Sequence, residues 1–219
     1  MELSTSELIT KIIFPNLYQT LFMVFISMIL STIIGFMFAI ILVLTDKNGL
    51  KPNWIIYGVL GGIINIVRSF PFIILIVAIM PFTRILIGTS IGMNAALIPL
   101  TIAASCFIAR LIEGSLKEVN ESLIEAAKSF GASDMHIIFK VIIKEAVPSI
   151  ISNLVVAIVS IVGTTAMAGV VGAGGLGAVA LTYGYQNFND NIMYSTVLIL
   201  VIIVQFIQII GNVIYNKVK

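Results

Sequence analysis

Residues 125–148 read EAAKSFGASDMHIIFKVIIKEAVP. They lie inside a segment, Arg110 to Glu145, that holds 11 of the 22 charged side chains (12 basic, 10 acidic) and the only histidine, His136. The surroundings are the opposite in character. The 219-residue chain is 59% hydrophobic and 10% charged, with a mean hydropathy of +1.15. Soluble domains are about half apolar and about a quarter charged, and a fold of this size has too little interior to hide so much apolar surface from water. The composition therefore reads as an integral membrane protein whose charge is gathered in one internal segment outside the bilayer.

The uncharged runs set the architecture. Leu17–Thr45, Ile85–Ala109, Ala146–Asn189 and Asn191–Asn216 carry no charge at all. A helix needs about 20 apolar residues to cross roughly 30 Å of hydrocarbon, and no sustained period of two suggests barrel strands. The expected fold is all-α, with five membrane helices over about 18–44, 54–80, 93–108, 147–168 and 193–215, forming one transmembrane domain over 15–215. The second span is interrupted by Arg68-Ser69-Phe70-Pro71 and reads as one long helix or two pieces bent near Pro71. The run from Ala146 is about 66 Å long if helical throughout, twice the hydrocarbon thickness. Gly169, Gly172, Gly174, Gly175 and Gly177 stop it, so it reads as one span followed by a Gly-rich excursion.

Nine of the twelve basic residues fall after spans one and three and at the C-terminus: Lys47, Lys51, Arg110, Lys117, Lys128, Lys140, Lys144, Lys217 and Lys219. The positive-inside rule places these connections in the cytoplasm and the N-terminus outside. The N-terminal MELSTSELITK lacks the basic start of a cleavable signal peptide. Cys106 has no cysteine partner, no His/Cys cluster suggests a metal site, and His136 reads as an exposed helix residue. No catalytic constellation is present.

The charged segment, 110–146, reads as a cytoplasmic loop of two short helices. Leu123, Ile124, Ala127 and Phe130 share an apolar face, and Glu121, Glu125 and Lys128 the other. Gly131 suits a helix C-terminus. Ser133 or Asp134 can cap a second helix whose stripe is Ile137, Ile138, Val141 and Ile142. On pattern alone an ordinary solvated hairpin stays open.

Glu125-Ala126-Ala127, three residues, then Gly131-Ala132 resembles the cytoplasmic loop of permease subunits of type I ABC importers. The pattern departs at Ile143-Lys144, where Leu-Pro is common, and keeps Pro148. Arg68-Ser69-Phe70-Pro71-Phe72, Pro81-Phe82-Thr83-Arg84, Ala109-Arg110 and Val171-Gly172-Ala173-Gly174-Gly175-Leu176-Gly177 resemble, within that family, the permeases for D- and L-methionine.

The resemblance implies a homodimer in a bacterial inner membrane. It also implies a pair of cytoplasmic ATP-binding subunits that hold ATP and Mg, and an extracytoplasmic methionine-binding protein or lipoprotein. It implies neither a cofactor in this chain nor a nucleic-acid partner. Coupling to the ATPase falls on Glu121, Glu125, Ala126, Ala127, Gly131 and Ala132, as a short helix seated in a groove.

Pathway or gate roles fall on Arg68, Pro71 and Met167. Arg68 alternatively snorkels at the cytoplasmic edge, and Met167 alternatively only packs. Binding-protein docking falls on Gly172, Gly174, Gly175 and Gly177; the alternative is a flexible external turn. The nearest competing functions are import of another amino acid, an ion-coupled carrier, and a membrane anchor without a pathway. A carrier usually places acidic residues within its spans, and none is seen here.

Overall fold

In the computed structural model, residues 9–219 are described; the expectation about a signal peptide rests largely on residues outside that range. A π-helical turn, Ile9–Ile13, leads into α1 (Phe14–Thr45). There follow α2 (Trp54–Ser69), α3 (Phe72–Ala78), α4 (Met80–Ile87), α5 (Met93–Lys117) and α6 (Glu121–Ser129). The long α7 (Asp134–Val170) is helical throughout, with π-type turns over Ile137–Ile142. A short α8 (Gly175–Val179) continues into a π-helical stretch, Ala180–Gln186, and α9 (Asp190–Val218) closes the chain. No strand occurs among the described residues.

Four of these helices are long and apolar enough to cross a membrane, and α2 with α3, bent by 106° at their break, makes a fifth if the pair counts as one span. The bend has a local cause. Proline disfavours helical geometry in the residue before it, and Phe70 and Pro71 are both extended, with ψ of 130° and 132°. The two-piece reading of the second span is therefore the correct one.

Two boundaries differ from the sequence reading. The third span does not stop near Ile108: α5 runs on to Lys117, so residues 110–117 are helix rather than loop. The second helix expected in the loop is not a separate piece either. It is the first part of α7, which passes through Pro148 without ending.

The core lies where α1 crosses α5. Ser27, Ser31, Gly35 and Ala39 recur every fourth residue and are buried, the small-residue stripe that lets membrane helices approach closely. At Gly35 a Cβ would stand 2.9 Å from both the Ile108 side chain and the Ser105 carbonyl. α5 is the most enclosed membrane helix and α9 the least. An apolar surface such as α9's, with Leu198, Ile202, Phe206 and Ile209 outward, costs nothing against lipid.

Gly61 sits beneath Arg110, whereas a Cβ at Gly62 or Gly163 would have no neighbour within 4 Å. Helix starts are capped by Asn53, Asn120, Ser133 and Asn189, whose side-chain oxygens accept backbone N–H bonds that would otherwise be orphaned.

Candidate functional site

Between α5 and α7 the chain projects α6 from one end of the bundle. Asn120 starts it, its carboxamide oxygen accepting from the Ser122 N–H at 3.0 Å. Gly131 ends it with φ +74°. The Gly131 N–H donates to the Lys128 carbonyl at 2.9 Å and the Ala132 N–H to the Ala127 carbonyl at 3.1 Å. This pair of bonds is a Schellman ending, which favours glycine at the left-handed residue.

The turn decides what α6 shows. Ile124, Ala127 and Ala132 pack inward on Leu116, Val119, Ile137 and Ile142. Glu121, Glu125 and Ala126 are exposed. Leu123 is 42% exposed and Phe130 91%, so these two do not join the inward face as their spacing suggested. The presented surface is mixed: two carboxylates, alanine, and an aromatic ring with nothing over it.

The base of this projection is a polar lattice that sequence reasoning missed. Lys117 donates to Asp46 Oδ2 at 2.6 Å and to Glu113 Oε1 at 2.7 Å. Arg110 donates to Glu113 Oε2 at 2.6 Å, to the Gly61 carbonyl at 3.0 Å and to Asn65 at 3.0 Å. The Tyr57 hydroxyl donates to Glu113 at 3.1 Å. Burying Glu113 is tolerable only with such partners.

Burial raises the Asp46 pKa, but hydrogen bonds from Lys117 and from the Asn48 N–H outweigh it and hold the carboxyl below its ordinary value. The available signal was the spacing of Arg110, Glu113 and Lys117, which stacks them on one face of a helix once the helix is known to continue. On the α7 side, Ser149 donates to Glu118 at 2.9 Å and Asn153 to Ser115 at 2.8 Å. Lys51 pairs with Asp134 at 3.7 Å.

At the opposite end, the Gly-rich stretch is folded against the bundle. The Gly175 N–H donates to Asn16 and Gln19 at 3.1 and 2.8 Å, and the Leu176 N–H to Thr20 at 2.8 Å. Gly175 and Gly177 are buried, Gly174 is half-buried, and Gly172 is exposed. Any Cβ at Gly177 would meet the Ala166 backbone. These glycines permit close packing of α8 on α1 and α7. The Gly172 carbonyl accepts from the Gly92 N–H at 2.9 Å, joining this stretch to the start of α5.

Arg68, on the last turn of α2, lies at a cavity of about 310 Å³ between α2, α3, α5 and α7. Phe70, Phe72, Phe107, Ser160 and Thr164 also line it. Arg68 is exposed and sits at the end of α2 away from Trp54. Pro71 and Met167 are exposed and do not line this cavity.

The model of the family described as "binding-protein-dependent transport system inner membrane component" matches residues 42–219. The chain belongs to that family. A probable D-methionine transport system permease from Vibrio cholerae is 45% identical over 201 residues, 92% of this chain and 89% of the relative. A methionine import system permease from Bacillus subtilis is 46% identical over 176 residues, 80% and 79% of the two chains. A chain in a structure of inward-facing conformations of the MetNI methionine ABC transporter superposes with a TM-score of 0.95 at 40% identity, covering 98% of this chain and all of that one. A chain of an amino acid ABC transporter superposes at 0.80 with 18% identity and shares the fold. In this inner membrane component the matched region takes in α2 to α9, so both the projecting α6 and the Arg68 cavity lie within it.

Proposed function

We propose that the chain is the membrane permease of an ATP-driven importer for methionine. Two copies enclose the pathway, and each presses α6 into a groove on one of two cytoplasmic ATP-hydrolysing subunits. ATP and Mg stay on those subunits. A methionine-binding protein or lipoprotein outside the membrane delivers the substrate, through a contact that includes the exposed Gly172 side of the glycine stretch. The polar loop and the C-terminus face the cytoplasm, and the N-terminus faces outward.

The observation that carries this reading is α6 itself. A nine-residue helix is anchored on its inner side by Ile124 and Ala127 and held out by the Gly131 turn. It offers Glu121, Glu125, Ala126 and a bare Phe130 ring to solvent. An amphipathic helix in a groove is a common mode of recognition, and a rigid projection can pass a partner's closure into the bundle as a rigid-body movement. The relatives named above supply the methionine specificity.

The test is purification of the tagged chain from its native membrane in mild detergent, with mass spectrometry of what accompanies it, and uptake of labelled methionine by cells with and without the gene. An ATP-binding subunit at about one copy per chain, and uptake lost with the gene, are expected. No ATPase under several mild detergents overturns the reading. Uptake of a different amino acid in place of methionine overturns the substrate and keeps the mechanism.

A further inference from the structure

The cavity at Arg68 is a half-open cleft partway along the bundle, with Arg68, Phe70 and Ser160 exposed at its sides. From Trp54 to Arg68 along α2 is about 21 Å. From the opposite end, Ala104, which lines the cavity, is about 16 Å down α5 from Met93, and Ser160 about 15 Å down α7 from Val170. Against a hydrocarbon core of roughly 30 Å, the walls from α5 and α7 lie near the midplane.

A guanidinium at that depth is costly unless it faces a partner or a water-filled space. Within the described chain Arg68 makes no hydrogen bond or ion pair. Arg110, on α5, donates to Glu113, Gly61 and Asn65.

We propose that the cavity binds the transported amino acid within the membrane, and that Arg68 is the ligand of its carboxylate. The proposal rests on the import reading above. Its volume of about 310 Å³ falls at the lower end of the range of ligand pockets, roughly 300–1,000 Å³. A planar guanidinium takes a carboxylate with two parallel hydrogen bonds, the strongest pairing such a side chain makes.

The Thr164 hydroxyl donates to the Ile161 carbonyl at 2.9 Å, which leaves its oxygen free to accept from an ammonium group. Phe70, Phe72 and Phe107 leave the remainder of the space apolar and aromatic. Such walls suit an unbranched apolar side chain, and a thioether gains further from contact with ring edges. The zwitterion thus meets opposite charge at one end, a hydroxyl at the other, and rings along its length.

The experiment uses the permease with its ATPase in lipid nanodiscs, without the binding protein. Equilibrium binding of radiolabelled L-methionine is measured, with unlabelled L-methionine and L-methioninamide as competitors. Saturable binding is expected, with the acid preferred over the amide by at least about tenfold. Arg68→Gln is expected to weaken binding at least about tenfold and to erase the preference between acid and amide, which a merely structural arginine would not do. Thr164→Val and Phe107→Trp are expected to weaken binding while keeping that preference.

Absence of saturable binding overturns the inference and leaves the import reading standing, provided the same discs hydrolyse ATP faster when loaded binding protein is added. Loss of the ATPase from the preparation overturns both. Wild-type affinity in Arg68→Gln overturns the assignment of the carboxylate ligand. Should Arg68→Gln not assemble, unchanged affinity in both Thr164→Val and Phe107→Trp overturns the site.

Discussion

Lys117 on α5 and Asp46 in the turn after α1 meet at 2.6 Å, which ties the two helices of the core together at the end where α6 emerges. The same ammonium bonds Glu113, whose residue is only 4% exposed. Lys117→Met removes both bonds and leaves Glu113 with Arg110 and Tyr57. The expected cost is about 2 kcal/mol, held to that size because Lys117 itself is partly solvated. That corresponds to a midpoint lower by about 4–8 °C. Cys106 is buried and has no disulfide partner, so a thiol-reactive dye reports the unfolding directly. A midpoint within 1 °C or so of wild type would show that the lattice is not a stabilising feature.

Asp46 makes the pairing pH-dependent in a stated direction. Its folded carboxyl is held below the ordinary value of 3.8. A group depressed on folding contributes stability above its unfolded pKa and loses it as pH falls through the folded one. The stability gap between wild type and Asp46→Asn is therefore expected to stay level from pH 8 to 5 and to close below about pH 4. A gap that widens under acid would contradict the ion pair as drawn.

Gly131 tests the projection of α6. A Cβ at this position meets nothing within 4 Å, so any defect of Gly131→Ala comes from the backbone, at about 1 kcal/mol for a left-handed φ of +74°. Gly131→Pro does more. It forbids that φ and deletes the N–H that bonds the Lys128 carbonyl. Uptake is expected to fall modestly in the alanine variant and to vanish in the proline variant. The amount of protein in the membrane should change little, because α6 has no buried residue. Immunoblots of membranes beside uptake rates check this, and normal uptake by Gly131→Pro would detach α6 from function.

What could be read beforehand was whatever leaves a mark within one turn of helix. The uncharged runs announced the spans, Gly131 announced the end of α6, and Pro71 announced the break after α2. The ends of α5 and α7 were harder, because Arg110, Glu113 and Lys117 look like loop by composition. They are held as helix by partners 45 to 71 positions away, such as Asn65 and Asp46. Phe130 misled by its spacing: the helix turns its ring outward while Ile124 and Ala127 face the core. The glycines after Gly169 read as a turn, since no local pattern shows that Asn16, Gln19 and Thr20, more than 150 residues earlier, bond their amides.

Gly35 and Gly62 separate close packing from mere small size. Alanine at 35 places its Cβ 2.9 Å from the Ser105 carbonyl oxygen, a backbone atom that moves only if α1 and α5 part. Overpacking of this kind costs about 1–3 kcal/mol. Alanine at 62 meets nothing and replaces glycine inside a helix, a gain of roughly 0.5–1 kcal/mol. Thermal unfolding followed through Cys106 is expected to show Gly35→Ala lower than wild type and Gly62→Ala equal or higher. Equal losses in both would mean that α2 also packs tightly along Gly62, against a second copy of the chain, and the comparison repeated on the monomer and the assembled dimer would show that contact as a difference confined to the dimer.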